Sequence, residues 1–241
     1  MRSLKTIAAL GKVAGSVIAV NKYAKTVDQL KAEGKTEEER EVLSRLEHEW
    51  GEDILNKFGW KVELEGAENL PEKGPVVVIS NHQSYVDIPA ILSILPFQVG
   101  FVAKSELEKI PVFSTWILRI RGLLINRGDA RASLRTISEG VALVKQGFSM
   151  AIFPEGTRSR GPEMGEFKAG SLKLATKAGC PVLPITISGS YRLYEETGNV
   201  RENESFKVIV HKSVETEGLS RAELAELPER IEEIIRSGLE C

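Results

Sequence analysis

From residue 61 onward, short apolar runs rich in β-branched residues alternate with stretches whose apolar positions recur every three or four residues. The first kind predicts strands at Lys61–Glu65, Pro75–Ser80, Val99–Ala103, Leu123–Asn126, Ser149–Phe153, Val182–Ile187 and Phe206–His211. The second predicts helices at Ile88–Leu95, Asp129–Gln146, Ala169–Ala178 and Arg221–Ser237. The Asp129 helix is the clearest: Asp129 stands as N-cap, Leu134, Ile137, Val141 and Val144 share one face, and Gly147 stops it. Strands alternating with helices imply an α/β fold, a mixed, largely parallel sheet covered by helices on both faces.

Residues 1–60 have a different rhythm. Two amphipathic helices are expected, with a break near Gly34-Lys35-Thr36. The first places Ile7, Leu10, Val13 (or Ala14), Val17 and Val20 at helical spacing among lysines; the second does so with Val42, Leu46, Trp50, Ile54 and Phe58 in a more charged setting. The chain thus divides into a two-helix membrane-contacting segment, residues 1–58, and an α/β domain, residues 59–241. A helical hairpin docked on the main domain accounts for the same pattern, and the two roles are compatible. No run reaches 18 apolar residues, so a spanning helix is not expected. Ile7–Val20 is interrupted by Lys12 and followed by no small-residue cleavage site, which favours retention over removal as a signal peptide.

Charge adds a direction. The net charge of −2 gives no sign of a nucleic-acid binder. Yet residues 1–25 carry Arg2, Lys5, Lys12, Lys22 and Lys25 and no acid, and residues 104–177 carry 13 Lys/Arg against 7 Asp/Glu. From Glu195 to Glu240 the balance reverses, with 12 acids against 6 bases. A basic start and middle suit an anionic membrane surface and an anionic substrate, while solvated helix faces account for the acidic tail. Cys180 and Cys241 are the only cysteines and form no C-x-x-C pair, which argues against a zinc site or a disulfide framework and for a reducing compartment.

Ligands of such sheets gather at the carboxyl ends of strands, and the chemically suggestive residues all follow strands there. They are Asn81-His82, Lys104, Arg127 and Glu155 to Arg158. Of the three histidines only His82 lies at a strand end with an Asp five residues on. Asp87 can hold the second ring nitrogen and stabilise the imidazolium, leaving His82 as a base near neutral pH. Asp87 also precedes Ile88-Pro89 and has a plainer role available as a helix cap. Ser84, the nearest hydroxyl, lacks the glycine-rich turn of a covalent nucleophile. In Phe153-Pro154-Glu155-Gly156-Thr157-Arg158, Gly156 permits close backbone approach, Thr157 offers a hydroxyl and Arg158 a bidentate donor for phosphate. Glu155 either accepts from a substrate hydroxyl or orients Arg158. Lys104 and Arg127 add positive charge at the rim.

Together these residues resemble the glycerolipid acyltransferases, and within them the 1-acyl-sn-glycerol-3-phosphate acyltransferases. Asn81 to Asp87 resembles the family's N-H-x-x-x-x-D block, Gly122 to Arg127 its second, Phe153 to Arg158 its F-P-E-G-T-R block, and Val182-Leu183-Pro184-Ile185 its fourth, across about residues 75–190. The resemblance implies transfer of a fatty acyl group from a thioester to the 2-hydroxyl of lysophosphatidic acid, giving phosphatidic acid. His82 and Asp87 would be catalytic; Lys104, Arg127, Glu155, Gly156, Thr157 and Arg158 would bind substrate. It implies no metal and no bound cofactor, acyl-CoA or acyl-carrier protein as donor, and a peripheral or monotopic position on the cytoplasmic face of the cell membrane. Glycerol 3-phosphate or another lysolipid is the alternative acceptor. A His/Asp thioester hydrolase and a non-catalytic membrane binder are the readings from other classes.

Overall fold

A computed structural model describes residues 4–126, 128–168 and 170–239, with the side chains of residues 4 and 5 outside that description. The helices are α1 (Leu4–Ala19), α2 (Ala24–Ala32), α3 (Thr36–Phe58), α4 (Asp87–Ile94), α5 (Pro111–Arg119), α6 (Ala130–Lys145), α7 (Lys173–Ala178) and α8 (Arg221–Ser237). The strands are β1 (Lys61–Glu65), β2 (Val77–Ser80), β3 (Val99–Lys104), β4 (Leu123–Ile125), β5 (Ser149–Ile152), β6 (Val182–Ser188) and β7 (Ser205–Val210).

Among the described residues the strands form one seven-stranded sheet in the order β1-β7-β6-β2-β5-β3-β4. Strands β6, β2, β5, β3 and β4 run parallel; β7 pairs antiparallel with β6, and β1 follows β7. The mixed, largely parallel sheet expected from the alternation is therefore present. The period of two along β2 divides the core: Val76 and Val78 face one layer, Val77 and Ile79 the other. Helices α1, α3 and α4 cover the first face through Ala9, Ile54, Phe58 and Ile91, and α7 and α8 cover the second through Leu174, Leu227 and Ile231. Asp129 caps α6 as expected, its carboxylate accepting from the Arg131 and Ala132 N–H groups.

Two features depart from the expected order. Helix α5 had no sequence prediction; nine residues that open on Pro111 form it between β3 and β4. The N-terminal region contains three α-helices instead of two, because a 3-10 turn at Val20–Tyr23 separates α1 from α2. Residue 58 ends a helix but not a core. Leu43, Leu46, Ile54, Leu55 and Phe58 of α3 are buried, and Gly51 lets α3 approach α4 so closely that an added Cβ would lie 2.7 Å from the Pro89 carbonyl.

Helix α3 also buries Glu47. Its Oε2 accepts the Val99 N–H at 2.8 Å, while Oε1 has no partner among the described residues. Burial pushes the carboxyl well above its ordinary value of 4.5. With the folded value above the unfolded one, the contribution to stability is full below about pH 4.5 and is lost as pH rises through the folded value. Glu47→Gln removes that dependence. The thermal midpoint of the variant relative to the parent should rise between mildly acidic and mildly alkaline buffer, by roughly 2–4 °C for each kcal/mol regained. Parallel melting curves across that range contradict the assignment.

Candidate active site

Strands β6, β2 and β5 lie side by side, and the loops leaving their carboxyl ends meet over the edge of the sheet. Asn81, directly after β2, is fully buried and works as a structural clamp. Its amide nitrogen donates to the Ile187 carbonyl at 2.8 Å and its amide oxygen accepts the Ile187 N–H at 2.8 Å. That pair of hydrogen bonds ties the residue before His82 to the β6 backbone. Asn81, grouped with His82 by sequence, thus fixes the loop and does not face a substrate.

His82 Nδ1 lies 2.8 Å from Asp87 Oδ2, with the histidine side chain 15% exposed and the aspartate wholly buried. The same Oδ2 accepts the N–H groups of Gln83 (2.7 Å) and Ser84 (2.9 Å), and Oδ1 accepts the Ser190 hydroxyl at 2.5 Å. Those N–H groups belong to the turn before α4 and no side chain caps that helix, so the carboxylate serves His82 and its loop instead. A carboxylate on Nδ1 assigns the proton there and leaves Nε2 as the basic nitrogen. The Phe153 ring stacks on the imidazole, centroids 3.9 Å apart and planes 13° apart, which fixes its orientation. Ser84 is buried, and its hydroxyl accepts the Val86 N–H at 3.1 Å; it shapes the turn.

Glu155, on the loop after β5, bonds backbone and does not orient Arg158. Its Oε1 accepts the His82 backbone N–H at 2.6 Å and its Oε2 the Gly165 N–H at 2.8 Å. Burial raises its pKa, against the lowering effect of those two bonds. Glu155 thus pins the His82 loop to residues 161–168, while Arg158 pairs with another carboxylate. The reason is position: three residues past a central strand, Glu155 is still buried beneath the loops.

Arg158 instead pairs with Glu195, Nη1 to Oε1 at 2.8 Å, and its guanidinium lies 3.4 Å from the Tyr85 ring centroid. Gly156 has φ +72°, a left-handed turn that suits glycine, and the Ser159 N–H donates to the His82 carbonyl at 2.7 Å, so the arginine loop and the histidine loop form one unit. Thr157 is exposed on this turn, and Lys104 is exposed at the end of β3, two strands from β2 along the same edge. Arg127, which the sequence assigns to the rim, lies outside the described residues. Sequence reasoning missed Tyr85, Phe153, Ser190 and Glu195 as parts of the site; the signal available was Gly189-Ser190 at the end of β6, another parallel strand. A separate cleft of about 660 Å³, lined by Arg40, His48, Gln98 and Ser149, sits at the amino ends of the strands, away from His82.

Residues 61–188 match the family model described as Acyltransferase. The chain is 37% identical over 159 residues to a chloroplastic 1-acyl-sn-glycerol-3-phosphate acyltransferase of Brassica napus, covering 64% of this chain and 45% of that protein. It is 34% identical over 176 residues to the 1-acyl-sn-glycerol-3-phosphate acyltransferase of Pseudomonas aeruginosa, covering 72% of this chain and 67% of that one. The matched part therefore spans less than half of the Brassica relative. The crystal structure of the 1-acyl-sn-glycerophosphate acyltransferase PlsC from Thermotoga maritima superposes with a TM-score of 0.73 at 27% identity, covering 98% of both chains.

Proposed function

Given that the chain belongs to the acyltransferase family, we propose that it moves a fatty acyl group from an acyl thioester to the 2-hydroxyl of lysophosphatidic acid, forming phosphatidic acid. The observation that carries this reading is the His82–Asp87 pair, held at 2.8 Å with Nε2 unclaimed among the described residues, beside a loop that presents Arg158. His82 Nε2 takes the hydroxyl proton as the oxygen attacks the thioester carbonyl. The C–S bond then breaks, and the imidazolium returns the proton to the departing thiolate. Asp87 stabilises the imidazolium in between. No covalent enzyme intermediate is required, in keeping with the buried, turn-forming Ser84. Arg158 and Lys104, with Arg127, supply the charge that meets the phosphate; Gly156 and Thr157 shape the turn that carries Arg158. Glu155 acts behind them through the His82 backbone.

The donor is acyl-CoA or acyl-carrier protein, and the acceptor and product place the enzyme at a bilayer, on its cytoplasmic face and without spanning it. No helix of the described residues is long and apolar enough to cross a membrane. The contact surface in this reading is α1, continued by Ile110 and Leu118 around α5, which packs against it.

The test is product analysis with purified protein in mixed micelles, a labelled acyl thioester, and lysophosphatidic acid or glycerol 3-phosphate as acceptor. Labelled phosphatidic acid is the expected product. Free fatty acid formed without acyl transfer would place the protein among the hydrolases, and acylation of glycerol 3-phosphate in preference would move the acceptor assignment.

A further inference from the structure

The buried partner of Arg158 lies beyond the four sequence blocks and beyond the family-model match, which ends at residue 188. Glu195 Oε1 accepts from two donors at once, Arg158 Nη1 at 2.8 Å and the Tyr85 backbone N–H at 3.1 Å. Its side chain is 2% exposed, and its second oxygen has no partner among the described residues. Tyr85 lies within the loop from His82 to Asp87, and its ring carries the guanidinium at 3.4 Å, close enough for flat contact. The Tyr194 ring stands beside it, centroids 6.3 Å apart. One carboxylate thus ties the arginine to the catalytic loop. A guanidinium has five N–H donors. Nε and Nη2 of Arg158 meet no hydrogen-bond partner among the described residues, and these are the two nitrogens of a bidentate edge.

We propose that Glu195 is a positioning residue for acceptor recognition: it clamps Arg158 flat on Tyr85, so that the Nε/Nη2 edge is presented to the phosphate of the acyl acceptor. This rests on the phospholipid-acyltransfer reading above. An opposing effect makes the proposal testable by sign. As a mere countercharge, Glu195 weakens the attraction of Arg158 for a phosphate dianion, and removing it would tighten acceptor binding. As a clamp, it fixes a long side chain in the binding geometry beforehand, and removing it weakens binding.

The experiment compares the full chain with Glu195→Ala, Glu195→Gln and Tyr85→Leu in mixed micelles, using lysophosphatidic acid and the acyl thioester that supports turnover. Glu195→Ala should raise KM for lysophosphatidic acid about tenfold, with kcat and the KM for the thioester changed by less than about threefold. Glu195→Gln should fall between it and the parent, since the amide oxygen still accepts from Arg158 and Tyr85. Tyr85→Leu removes the ring face and should reproduce the rise in acceptor KM. If Glu195→Ala is poorly folded, the Gln and Leu variants carry the comparison. An unchanged or lowered acceptor KM overturns the clamp, as does an equal loss for both substrates, the mark of a purely structural role. A parent chain that makes no phosphatidic acid overturns the functional reading itself, and the clamp with it.

Discussion

His82→Ala should lower acyl transfer to lysophosphatidic acid about 10²–10⁴-fold, the range typical of losing a positioned general base. The loss should appear in kcat, because the proton is taken as the acceptor oxygen attacks and no comparable interaction exists in the ground state. The fold should survive. The imidazole stands at the rim and not in the core, and after its removal Asp87 still accepts from the Gln83 and Ser84 N–H groups and from the Ser190 hydroxyl. A buried carboxylate left without partners would be costly; this one retains three. Asp87→Asn should be comparably damaging to rate by another route. A neutral amide no longer stabilises the imidazolium, and with one acceptor oxygen it cannot serve Nδ1–H, both backbone N–H groups and Ser190 together. The double variant should then be little worse than either single one, since the two residues act as a unit. Rates of labelled phosphatidic acid formation, with melting curves as control for folding, decide the matter. Near-parental turnover by a folded His82→Ala protein rules the mechanism out, and fully additive losses rule out the coupling.

Period and turn chemistry made the fold readable. Every strand expected between residues 61 and 211 is present within about two residues, because Val, Ile and Phe at alternating positions leave few other ways to bury both faces of a sheet. Helix α5 escaped because Val112-Phe113-Ser114-Thr115 reads as β-branched and aromatic, while packing on α1 and the bidentate Arg119–Asp28 pair to α2 hold it helical. The His82–Asp87 contact was legible because the two residues are five apart, on the loop between β2 and α4. The backbone roles of Glu155 and Asn81 were not legible, for a common reason. A polar side chain at a strand end serves substrate or backbone equally well, and only the long-range partners, Gly165 and Ile187, distinguish the two. Ser190 and Glu195 were missed because they meet Asp87 and Arg158 across sequence separations of 103 and 37 residues, which no local pattern encodes.

Replacing Ile7, Leu10 and Ile18 together by Gln should abolish most binding to anionic liposomes while leaving the protein folded. Sequence reading put Ile7, Leu10, Val13 and Val17 on one face; the structure divides them. Val17 is buried and Val13 packs against the core, whereas Ile7, Leu10 and Ile18 are 57%, 49% and 57% exposed. The inward face of α1 carries hydroxyls beside Ala9 and Val17: Thr6 donates to the Gly198 carbonyl, Ser16 bonds Asp53, and both are buried. In water alone this arrangement is inverted, since apolar area faces solvent and hydroxyls face protein. At a bilayer interface it is the favourable one. Burying a Leu or Ile side chain stabilises by about 1.5–3 kcal/mol, so even partial immersion of three should alter partitioning by roughly 100-fold. Deleting residues 1–57 tests something else, because it also removes Leu43, Leu46, Ile54 and Leu55 from the interior, and a truncated chain should lose its cooperative melt. The substitutions separate membrane contact from folding. Co-sedimentation with vesicles containing anionic lipid, read beside a parental melting curve, is the measurement; undiminished binding by the triple variant would move the contact surface away from α1.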